Sequence, residues 1–98
     1  APAAIVVTSN TNTEEMHRAF HKADVEIAVT YGTIAAVWLG LSTCRMGLSE
    51  MAFAGDAAMR EKHGIPANER VDGILALGYS ALQWKQIPPR GPVKAIWK

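Results

Sequence analysis

The sequence is poor in the residues that usually announce chemistry. Cysteine occurs once, at Cys44, so no internal disulfide is possible. With no secretory signal pattern at the start, a reducing cytoplasm is the expected compartment. Charge of either sign is scarce: ten basic residues against nine acidic give a formal +1, and charged residues make up 19% of the chain. That balance removes the electrostatic case for nucleic acid or a membrane surface. Metal-ligand clusters are missing as well. His17 and His21 are spaced to share a helix face, but no cysteine or carboxylate joins them at ligand spacing, and they read as ordinary surface histidines. Neither a hydrolase-type nucleophile–base pair nor a glycine-rich phosphate loop is present. The one long apolar stretch, residues 24–41, is at the short edge of the ~20 residues a membrane span needs. It also carries Glu26, Thr30 and Thr33, so it reads as a buried core or interface helix.

What is present is apolar material. Ninety-eight residues make at most one domain, and 49% of them are hydrophobic. That excess implies surfaces meant for a partner or for a further part of the same polypeptide. Residues 3–8 (Ala-Ala-Ile-Val-Val-Thr) read as a short buried strand. A chain that opens on such a strand, without a starting Met, reads as part of something longer. Thr11 and Glu14 fit a capping box for a short surface helix, with Met16, Ala19, Phe20 and Ala23 at helical spacing and His17, Arg18, His21 and Lys22 on the wet side. Asp24 is placed to cap a second, long helix that Gly40 closes. Inside it Gly32 and Ala36 share a small face suited to tight packing.

A small-residue turn, residues 41–47, follows and presents backbone more than reactive side chains. Cys44 within it has no activating base and reads as a small buried thiol. Residues 49–54 carry little signal. Asp56 starts a further helix through His63, terminated by Gly64 and Ile65-Pro66. Residues 71–78 form a second clear strand, apolar enough to be central. Residues 84–92, with three prolines, make a stiff extended segment, and residues 93–97 alternate as an edge strand would.

Two features could hold a ligand. The turn from Gly40 to Gly47 would expose backbone N–H groups to an aromatic ring system. Arg90, stiffened by Pro88 and Pro89 and with Lys85 nearby, suits bidentate contact with phosphate. A helix cap and a solvated tail would account for the same residues. Flavin mononucleotide (FMN) would need both features, one for its ring and one for its phosphate.

These residues, in their order, carry a family resemblance. Ala1-Pro2 leads into Ile5-Val6-Val7; Asp24, Ile27 and Ala28 open the long helix, and Ala35-Ala36 lie within it. Leu39-Gly40-Leu41-Ser42-Thr43-Cys44 ends it, followed by Gly47, His63-Gly64-Ile65-Pro66, Ala76-Leu77-Gly78-Tyr79, Ile87-Pro88-Pro89-Arg90 and Trp97. Over most of its length the chain resembles the C-terminal half of nitroreductase-family flavoproteins, and most of all the subgroup preceded by a ferredoxin-type domain. The resemblance implies an α+β fold, residues 1–98 being the C-terminal portion of a nitroreductase-like domain: a mixed sheet, a long central helix and an extended tail. It implies an FMN-dependent oxidoreductase, usually a homodimer, taking electrons from NAD(P)H or a ferredoxin-type iron–sulfur donor. These pass in a ping-pong cycle to nitro compounds, quinones or similar acceptors. The backbone of Arg45, Met46 and Gly47 would lie along the flavin ring, and Arg90, with Lys85, would meet the phosphate. Three departures stand out. Arg45 occupies a position commonly apolar or aromatic, where a cation would favour reduced, anionic flavin. Gln86 sits where the subgroup is often basic. The family's N-terminal half, with its Arg-Arg-Ser-type phosphate motif, has no counterpart here, so a fragment is expected. Reductive dehalogenation or flavin destruction would suit the same fold, and a non-catalytic α+β dimerisation module is the rival reading.

Overall fold

A computed structural model describes all residues except 13 and 84, and only the backbone of residues 16 and 18. The expectations placed on Met16, Arg18 and Trp84 therefore lie outside the described residues. The elements run β1 (Ala3–Asn10), α1 (Glu15–Trp38), β2 (Ser42–Arg45), α2 (Gly47–Gly55), α3 (Ala57–Lys62) and β3 (Glu69–Gly78). The strands form one sheet in the order β1-β3-β2. The α+β class and the long helix are as expected, and both pairings among these strands are antiparallel.

The last strand in sequence is the central one, as its apolar run implied. Its neighbours alternate across the two faces. Leu75 packs with Val25 and Val29 of α1, while Ile74 and Val71 pack with Phe53 of α2, and Met59 and Ile65 close that cluster. Helices thus cover both sides of β3. Contact with α1 is closest at Gly73. A Cβ there would stand 2.8 Å from Val29 Cγ2 and 3.0 Å from Val25 Cγ1. Only glycine lets the helix lie this near the strand.

Several local expectations are corrected. The first 24 helical residues form one helix, not two. Asp24 sits in its interior on an exposed face; with no Gly or Pro between residues 15 and 31, nothing interrupts the hydrogen-bond ladder there. The capping box does not form. Glu14 is the cap residue without a side-chain bond, and the Thr11 hydroxyl donates instead to the Asn68 carbonyl at 2.9 Å. Phe20 faces solvent, whereas His21 is half-buried. Strand β1 lies at the sheet's edge with Ile5 46% exposed, not buried as its β-branched run suggested. Residues 42–45 are a strand paired to β3 rather than a turn, and Cys44 on it is exposed. Residues 49–54 belong to α2. Residues 93–97 form no strand and are exposed.

The expected terminators hold. Gly40 (φ 77°) and Gly64 (φ 67°) take left-handed conformations. Leu41 N–H donates to the Ala36 carbonyl at 2.8 Å and Ile65 N–H to that of Arg60 at 3.0 Å, closing both helices in Schellman motifs. Asp56 caps α3 by accepting from Met59 N–H at 3.0 Å.

Much apolar surface stays uncovered. The chain exposes 8325 Å², against roughly 5,500 Å² for a compact chain of this mass. Its radius of gyration is 16.7 Å, where about 13 Å is usual at this length. No helix among the described residues is long and apolar enough to cross a membrane.

Replacing Gly73 by alanine is expected to cost about 1–3 kcal/mol, since the β-branched neighbours on α1 have little rotamer freedom with which to give way. Gly55→Ala, where an added Cβ meets nothing within 4 Å, is the control. Denaturant unfolding of the two variants should separate them clearly; equal midpoints would contradict the close approach.

Candidate functional site

The expected ring-contacting residues come together at the junction of β2 and α2. Arg45 is the last residue of β2, opposite Leu75. Met46 is the N-cap residue of α2 (φ −108°, ψ 70°) without a side-chain cap bond, and Gly47 is the helix's first residue. Met46 N–H donates to the Ile74 carbonyl at 2.9 Å, tying this elbow to the central strand. Ser49 N–H turns back to the Met46 carbonyl at 3.2 Å. Space beside Gly47 is open, since a Cβ there would meet nothing within 4 Å. The first N–H groups of an α-helix have no partner within the helix and stand at the positive end of its dipole. A flat electron-rich ring could therefore approach the elbow's backbone closely, with amide donors facing it.

The Arg45 side chain does something different from its backbone. Its guanidinium pairs with the Glu26 carboxylate of α1, and its other terminal nitrogen lies 3.4 Å from Glu50 in the first turn of α2. The hydrogen bond from Arg45 holds the Glu26 carboxyl below the ordinary value of 4.5, with the positive charges of Arg45 and Lys22 adding to it. The same bond raises Arg45 in turn. These two glutamates escaped sequence reasoning: Glu26 and Arg45 are 19 residues apart, and no spacing rule links a helix residue to a later strand.

Lys85 and Arg90 stand apart from the elbow. Both lie on the exposed segment after β3, and neither makes an ion pair among the described residues. Pro88 and Pro89 precede Arg90 in a stretch without regular secondary structure.

A cavity of about 360 Å³ lies elsewhere, between β1 and α1, lined in part by Ser9, His21 and Asp24. It is an open groove. The Ser9 hydroxyl there donates to the Asp72 carboxylate, with which Arg70 also pairs at 2.6 Å. Another, of about 320 Å³, lies between the chain's first residues and the ends of β2 and β3, beside Cys44 and Tyr79. Among the described residues no three His, Cys, Asp or Glu side chains group as a metal site.

A three-stranded antiparallel sheet with a long helix on one face and two short helices on the other defines a partial nitroreductase-like fold. The chain is similar to a solved FMN-dependent nitroreductase from Clostridium difficile R20291, with a TM-score of 0.68 at 26% identity over 90% of this chain. The chain spans about half of that protein, 51% of its length. No protein-family model and no curated protein matches the chain.

The Glu26–Arg45 pair leads to a pH dependence. A carboxyl held below its ordinary value contributes stability above pH ~4.5, and that contribution is lost as pH falls through the lowered value. Wild type and Glu26→Gln should therefore differ in melting temperature near neutral pH, and the difference should shrink as pH falls below the ordinary carboxylate range. A constant difference across that range would show that Glu26 acts through something other than its charge.

Proposed function

We propose that the chain is the C-terminal part of an FMN-dependent oxidoreductase, and the observation that carries the reading is its fold, shared with an FMN-dependent nitroreductase. The elbow fits the cofactor. Gly47 leaves room for close approach, and the first-turn amides of α2 offer fixed donors where negative charge would gather on the ring. FMN, when bound, supplies the electron chemistry, and this chain's residues bind and orient it. The backbone of Arg45, Met46 and Gly47 lines the ring. Arg90, which makes no ion pair among the described residues and is stiffened by its prolines, takes the phosphate together with Lys85. Electrons come from NAD(P)H or a ferredoxin-type iron–sulfur donor and go to nitro compounds, quinones or similar acceptors. The compartment is the cytoplasm.

Two partners complete the fold. One is the N-terminal half of the same polypeptide, in keeping with coverage of 51% of the matched protein. The other is a second copy. Ile27, Tyr31, Ile34 and Trp38, spaced by four, three and four residues, form one stripe along α1 and are 55–89% exposed. Such spacing is that of a helix–helix seam. This stripe also supports the second reading, a dimerisation module without catalysis.

Arg90→Ala separates the two. Loss of a charge-assisted phosphate contact should weaken FMN binding by about 1.5–3 kcal/mol, roughly 10- to 150-fold. Fluorescence titration of the whole protein with FMN reads that change, and sedimentation reads its subunit number. Unchanged affinity with an altered oligomer would favour the module.

A further inference from the structure

The environment of the Arg45 side chain assigns it a role. A cation beside the elbow has two ways to act. It can face a bound ring and stabilise negative charge there directly, or it can be consumed by the protein's own carboxylates. Here it faces carboxylates. Glu26 comes from the middle of α1 and Glu50 from the first turn of α2, while Arg45 itself ends β2. One guanidinium therefore joins three elements, α1, β2 and α2. Two carboxylates around one cation leave the group with a net negative charge.

Arginine suits this task because its planar fork presents several donors at once, whereas lysine is a point charge on a flexible stem. Glu50 is held by a second force as well, since a carboxylate in the first turn is favoured by the helix dipole. The clamp and the Met46–Ile74 backbone bond constrain the elbow from opposite sides. With both in place, the amides that open α2 have a fixed direction.

We propose that the Arg45 side chain is a positioning group: bridged between Glu26 and Glu50, it fixes the β2–α2 elbow for a bound ring and does not itself face that ring. The ring-binding part rests on the FMN reading above; the clamp part does not.

The test uses the whole protein and three variants, Arg45→Gln, Arg45→Lys and the double change Glu26→Gln with Glu50→Gln. Amide hydrogen exchange at residues 46–49 needs no flavin. It should speed up roughly two- to fivefold in Arg45→Gln, the size expected for exposed ion pairs. Arg45→Lys, able to keep one partner, should fall between. With FMN added, affinity should drop by a similar factor in Arg45→Gln while the flavin midpoint potential stays at the wild-type value. In the double variant the freed cation should raise the potential. Unchanged exchange in Arg45→Gln overturns the clamp. A potential that falls in Arg45→Gln overturns it too, because the cation would then have been acting on the ring. Failure of the wild-type protein to take up FMN removes the flavin reading, and the exchange rates still decide the clamp on their own.

Discussion

Helix α1 lies against β3 at one point of near-contact, and most of the architecture follows from it. Gly73 has no side chain to hold the helix off, so Val25 and Val29 reach the strand and enclose Leu75. With that face sealed, residues on the other side of β3 are free to pack with α2 and α3. Strand β2 then pairs with the upper half of β3, and the elbow that begins α2 is delivered to the corner between the two helical layers. Arg45 can span Glu26 and Glu50 only because α1 is docked this closely.

The same docking leaves a great deal unsatisfied. Most buried side chains belong to two small clusters on either side of one strand, with Ala36 and Ala76 buried outside them. Outside them, large residues such as Trp38, Leu48 and Trp97 are more than four-fifths exposed. Hydrophobic burial is the main favourable term in folding, and a surface this apolar stabilises the chain only when something covers it. The α1 stripe and the exposed segment after β3 leave apolar side chains uncovered, in keeping with a chain that spans half of the protein it matches.

Legibility in the sequence tracked how local the determining physics was. Gly40, Asp56 and Gly64 act within a few residues of themselves, and their roles as terminators and cap were readable directly. The centrality of β3 was readable because a strand covered on both faces is apolar on both. By contrast, the break expected at Asp24 was an overreading of one good cap residue, where helix continuity had nothing to oppose it. The short run at residues 42–45 has too few side chains to show a period, so its strand character came from pairing with β3, a long-range event. For the candidate site, the elbow residues were found through the resemblance. Their carboxylate partners were not found, since the contact between Glu26 and Arg45 is created by the fold alone.

The central claim is that this elbow and tail serve a flavin. The most direct measurement is an absorbance spectrum of the purified whole protein, before and after incubation with FMN and desalting. The account predicts flavin bands that survive desalting and are released as free FMN on denaturation. A protein that remains colourless after incubation with excess FMN would contradict it and leave the fold as shared architecture with a different use.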